Sequence, residues 1–176
     1  MTSPTTRAAD HIEVMAAIGK PKPEKRVKKT HSRKVSERKR WERRLDEITR
    51  EIVLERDGHC VLFGNHMGVR QCGHLVTRAK KSVRWDLRNC NEQCAGCNLR
   101  HEYYPEVYTT WYLGKFGECH YKKLVSDSEN VRKYTVDELE TLYINLVEIQ
   151  KQQEDQKLTP RFSQEEILAG TWKERN

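Results

Sequence analysis

No stretch of this 176-residue chain approaches the roughly 20 consecutive apolar residues that a bilayer-spanning helix needs, which excludes a membrane protein of the helical kind. No export signal is expected, since the weak apolar patch Ile12–Ile18 is broken by Glu13 and follows Asp10 and His11. Hydrophobic residues make up only 36 % of the chain and charged ones 34 %, leaving little material for a large α/β enzyme with a deep apolar pocket. There is no internal repeat. A small core, long solvated helices and disordered arms fit this balance.

The charge is uneven. Lys and Arg number 33 against 26 Asp and Glu, for a net charge of +7. Residues 20–44 alone carry +10, so the remainder carries −3. A block this basic attracts polyanions through counterion release, and nucleic acid is the expected partner; the alternative is a tail that only aids solubility. Six cysteines are present, five of them between residues 60 and 97. Without an export signal the expected compartment is reducing, where clustered thiols bind metal more often than they pair.

Periodicity divides the chain into a disordered basic arm over 1–34, a basic amphipathic helix over 35–57, a Cys/His-rich module over 58–117, a helical segment over 118–160 and a tail over 161–176. In the first helix Trp41, Leu45, Ile48 and Ile52 form one stripe, Ser36 is a candidate N-cap and Gly58 a stop. Arg38, Lys39, Arg40, Arg43 and Arg44 occupy its other faces and are available to phosphate. Val61–Asn65 reads as a strand running into a turn, and His74-Leu75-Val76 as a continuation of a second strand. Tyr103–Gly117 reads as a helix with an aromatic face and a C-terminal glycine cap. Thr135-Val136-Asp137-Glu138 is a capping box opening a helix that ends before Pro160, and Ser163 starts a short terminal one. The charged face over 136–158 is a candidate for pairing two copies into a homodimer. The expected fold class is α-rich α+β.

The middle module is too poor in apolar residues to order itself by burial alone, which calls for a metal. Cys94-Ala95-Gly96-Cys97 has the spacing of two thiolates on one tetrahedral zinc. Cys60 is the third ligand. The fourth comes from Cys72, His66, His59 or Cys90, with Cys72 favoured because it stands on the returning strand; the alternative for Cys72 is a small buried apolar residue. The position three after Cys60 is Phe63, which cannot coordinate.

Fourteen residues separate His74 from Asn89 and eight separate Asn89 from Asn98. This order and spacing resembles the HNH nuclease motif of strand, loop and helix around one divalent cation. The strings Arg70-Gln71-Cys72-Gly73-His74, Arg84-Trp85-Asp86 and Arg88–Asn98, followed by Tyr104–Gly117, resemble the phage NinG (Rap) recombination endonucleases over roughly residues 55–117. The asparagine directly after the last cysteine also resembles phage endonuclease VII, a junction resolvase. The resemblance implies a zinc-stabilised, HNH-like ββα-metal module and a metal-dependent DNA endonuclease acting on branched or junction DNA, in the cytoplasm of a bacterial host. It implies His74 as general base, Asn89 as organiser of the loop and Asn98 as ligand of a catalytic Mg²⁺ or Mn²⁺. Gly73 departs from the pattern, since many HNH nucleases place a metal-binding Asp there. The cation would then lean on Asn98 with His101 or Glu102, or on Asp86. Arg78, Lys80, Lys81, Arg84 and Arg88 are the expected phosphate clamps, Arg84 and Arg88 foremost. The competing reading is a non-catalytic, zinc-stabilised nucleic-acid-binding protein in which His74 is structural. Both readings predict a steep salt response: raising salt from about 50 to about 200 mM weakens DNA binding by at least ~10³-fold if six or more phosphates are contacted. A flat response in a filter-binding titration rules the basic block out as the binding element.

Overall fold

The computed structural model describes residues 35–63, 68–155 and 159–175. The basic arm over 1–34 lies outside them, as does His66. The described part is helix-rich α+β. In chain order it holds α1 (Glu37–Asp57), β1 (Arg70–His74), β2 (Cys90–Cys94), α2 (Ala95–His101), α3 (Pro105–Glu129), α4 (Val136–Glu154) and α5 (Gln164–Ala169), with short 3-10 turns at Lys81–Val83 and Thr171–Arg175. None of the described helices is long and apolar enough to cross a membrane.

Local chemistry sets the helix ends. Ser36 is the N-cap of α1, and Gly58 ends it in the left-handed conformation (φ 70°), with its N–H on the Leu54 carbonyl. Capping boxes at Thr135/Glu138 and Ser163/Glu166 start α4 and α5. The stripe Leu45, Ile48 and Ile52 is buried against Leu139, Leu142, Leu146 and Ile149 of α4. Trp41 packs at the rim of that core, its ring 5.6 Å from Tyr143. A second core gathers Leu75, Val83, Tyr108, Tyr112 and Leu124 under the aromatic face of α3.

Three elements differ from the sequence reading. Val61–Phe63 form a turn, because Cys60 and Val61 are drawn onto β2 by a Val61 N–H to Glu92 carbonyl bond of 2.9 Å. The aromatic helix ends at Gly117, which is non-helical with φ 83° and ψ 167°, but a further helical run that the spacing did not separate follows it across the kink to Glu129. Residues beyond 160 are part of the core, with Phe162, Ile167 and Trp172 at most 5 % exposed. Trp172 is sealed against Phe162, ring centroids 6.0 Å apart. Replacing Trp172 by Ala therefore costs about 3–5 kcal/mol, and by Phe distinctly less. Thermal denaturation checks this; an unchanged Tm for Trp172→Ala would show that the segment is not part of the cooperative fold.

Candidate functional site

β1 and β2 are antiparallel, with Cys72 opposite Glu92 and His74 opposite Cys90. The two-residue period of a strand puts Cys72 and His74 on one face. Their donor atoms and the Cys90 sulfur all lie within 4.8 Å of one another. A second group forms where β2 runs into α2. Cys94 is the N-cap of α2, its sulfur accepting the Cys97 N–H at 3.4 Å, and Cys97 follows one turn later. The turn after Gly58 delivers Cys60, and the three sulfurs lie within 4.8 Å of one another. All three residues are buried.

The chain thus brings together Cys60, Cys94 and Cys97, while Cys72 and Cys90, both weighed as the fourth ligand, sit with His74 instead. Phe63 is half exposed and His59 is exposed. Three buried thiols at this separation fit a soft cation such as zinc. Burial first, then the Cys94 and Cys60 sulfurs, push the Cys97 thiol up to about 12, so these sulfurs repel a shared negative charge until a cation balances it.

His74 is oriented by the loop that joins the strands. Its Nε2 lies 3.0 Å from the Arg84 carbonyl oxygen, which can only accept, so Nε2 carries the proton and Nδ1 is the basic nitrogen. Burial pulls the imidazole below the ordinary histidine value of 6.5, against the opposing pull of that carbonyl, and the ring is neutral near pH 7. Asn89 is fully buried and does not line the groove beside His74. Its amide accepts the Val76 N–H at 2.7 Å and donates to the Val76 and Val83 carbonyls at 2.9 Å. These bonds close the loop that carries the Arg84 carbonyl.

Asn98, on α2, donates to Gln71 Oε1 at 2.8 Å. Cys72, His74, Arg78 and Asn98 together line two neighbouring clefts. One, of about 350 Å³, reaches Asp46 and Arg50 on α1. The other, of about 660 Å³, reaches His101 and Glu102 at the end of α2. The His101 ring is edge-on to Tyr108 at 5.1 Å, and its Nδ1 is buried with no hydrogen-bond partner among the described residues. Asp86 is buried and engaged by Arg88 rather than lining either cleft.

Gly73 has a local cause. A Cβ there would come within 2.6 Å of the Gln93 side chain, which is fully buried beneath it. An aspartate at 73 would require the Gln93 side chain to move aside.

The basic loop divides into struts and open cations. Arg84 forks onto Asp46 at 2.8 and 2.5 Å, and Asp46 also accepts from the Trp85 indole at 2.8 Å. Arg88 is held by Asp86 and Asp127, and Lys81 by Glu42. Arg78 and Lys80 are exposed and form no ion pair with a described residue. Gln71 and Asp46 escaped the sequence reading; their partners lie 27 and 38 residues away, and no local pattern marks them.

Replacing Cys97 by Ser removes one of three converging thiols, so the variant loses bound zinc and melts at lower temperature; zinc content and Tm identical to the parent would refute the thiolate centre. Neither a curated protein nor a solved structure matches the chain. The family model described as Bacteriophage Lambda NinG protein matches residues 7–157. With three converging thiols, a carbonyl-oriented histidine and a match over most of its length, this chain belongs to the phage NinG family.

Proposed function

We propose that the protein is a metal-dependent DNA endonuclease of the HNH type that hydrolyses phosphodiester bonds in branched recombination intermediates. The observation that carries the reading is His74, neutral, anchored through Nε2 on a backbone carbonyl, and sharing a groove with Asn98 and Arg78. A ring held in that tautomer keeps Nδ1 for a proton, which suits a base acting on water near pH 7. Asn89 acts through the loop: it fixes the carbonyl that fixes the ring. Arg78, exposed at the groove, holds the phosphate on either side of the scissile bond.

The Asn98 carbonyl, with His101 or Glu102 one turn on, offers the oxygen and nitrogen donors for a Mg²⁺ or Mn²⁺ ion. Such an ion supplies charge neutralisation at the non-bridging and leaving oxygens. So few protein donors give weak affinity for the ion without DNA. The thiolate group Cys60, Cys94 and Cys97 is structural in this reading: these three residues would hold a zinc ion that would tie the start of α2, and with it Asn98, to the turn after α1.

A second reading, a non-catalytic zinc-stabilised DNA-binding protein, draws on one observation: a ring nitrogen of His74 lies within 4.8 Å of two cysteine sulfurs. His74→Ala separates the two. As an endonuclease base its loss lowers plasmid nicking in Mg²⁺ by about 10²-fold or more while DNA binding and Tm stay close to the parent. Undiminished nicking by the variant removes His74 from the chemistry.

A further inference from the structure

Cys72 and Cys90 have no part in the proposed cleavage, yet they stand against its base. Cys90 faces His74 directly across the hairpin, and Cys72 is two residues from His74 on the same face. The three donor atoms lie within 4.8 Å of one another and share no residue with the Cys60, Cys94 and Cys97 group. Cys90 is fully buried, whereas Cys72 and His74 are half-buried and line both clefts. The trio therefore has a covered back and an approachable front, the arrangement of a site with three protein ligands and one exchangeable position.

The ring is also prepared for a ligand role. A histidine that binds a metal almost always gives its other ring N–H to a carbonyl or carboxylate, and Nε2 of His74 already does so to Arg84. Two thiolates and one neutral imidazole around a dication sum to zero charge, which suits a half-buried position. Thiolates select soft ions, so Zn²⁺ or Cd²⁺ enters where Mg²⁺ and Mn²⁺ do not.

We propose that Cys72, His74 and Cys90 form a second, exchangeable site for a soft divalent cation, and that filling it switches off cleavage by turning the base into a ligand. On binding, two thiols each release a proton, two S–metal bonds and one N–metal bond form, and the His74 imidazole, now a ligand, is no longer available as a base to water. Withdrawal of the ion by a chelator reverses each step. The inhibitory half rests on the reading of His74 as base; the binding half does not.

The test has two arms on the full chain, kept reduced. In the first, metal-free protein is titrated with Cd²⁺, following thiolate-to-metal charge-transfer absorbance and ion content after dialysis. The parent is expected to take two ions per chain and Cys90→Ala one, with Cys97→Ser losing the other. Cys72→Ser, at a half-buried position, repeats the count should Cys90→Ala fold poorly. In the second arm, plasmid nicking in Mg²⁺ is measured with and without micromolar free Zn²⁺. Zn²⁺ is expected to suppress nicking by the parent about tenfold or more, reversibly, and to leave Cys90→Ala active. One ion per chain in the parent, or two in both Cys90→Ala and Cys72→Ser, overturns the site. Two ions with nicking indifferent to Zn²⁺ overturns the switch. Absence of nicking in Mg²⁺ alone is the failure of the base reading, and the ion count then decides the site by itself.

Discussion

A buried guanidinium, Arg56, holds the framework on which the candidate site stands. Its side chain is 1 % exposed in the last turn of α1. It donates to the Leu87 and Cys90 carbonyls at 2.7 Å and to the Pro160 carbonyl at 3.1 Å, and it forks onto Asp57. Asp57 in turn accepts the Glu92 N–H at 2.8 Å and pairs with Arg161 at 3.2 Å. An unsatisfied charge in this position would cost several kcal/mol; here a carboxylate and three carbonyls replace the lost water. The crowding is visible in Arg161, which burial and the neighbouring Arg56 charge pull down to about 10. One pair of adjacent residues thereby fixes the end of α1, the entry to β2 and the C-terminal segment. Because Cys90 is the register partner of His74, the imidazole is placed by this same network.

Charge is spent in two different ways. Around the hairpin, Lys81, Arg84 and Arg88 are matched to Glu42, Asp46, Asp86 and Asp127, so these cations build the loop instead of facing outward. The Arg84–Asp46 pair has a direct structural consequence: it clamps the residue whose carbonyl orients His74. Among the described residues, exposed positive charge lies in Arg78, Lys80 and residues of α1 such as Lys39, Arg40 and Arg43. Salt therefore acts on the outer cations far more than on the buried pairs.

What was legible in the sequence was what local chemistry decides. The Leu45, Ile48 and Ile52 stripe, the Gly58 stop and the two capping boxes each need only a few neighbouring residues, and each stands where the spacing put it. The C-x-x-C at Cys94 and Cys97 is nearly as local, because one helical turn joins its halves, whereas Cys60 reaches it from 34 residues away through the Val61–Glu92 backbone bond. Illegible were the features set by pairing between distant segments. Cys72 and His74 share a face by the strand's own two-residue period, but that Cys90 comes opposite His74 depends on the register of the hairpin, which no local pattern marks. Arg84 and Arg88 look like phosphate clamps until Asp46 and Asp127, each 38 or 39 residues away, arrive beside them. The last segment looked like a tail because its apolar residues, Phe162, Ile167 and Trp172, are sparse; their burial depends on a groove that α1 and α4 create.

His74 and Asn98 come from different elements, meet along one groove, and are held there by Asn89, Gln71 and the Arg84 carbonyl. In the reaction we propose, attack by a water activated at His74 expels the 3′-oxygen of the scissile phosphate. Mapping the ends left on a branched DNA substrate is the most direct measurement of that claim. Hydrolysis through this site leaves 5′-phosphate and 3′-hydroxyl ends and ceases in EDTA; 3′-phosphate ends, EDTA-resistant cleavage, or intact DNA under every divalent cation would contradict it.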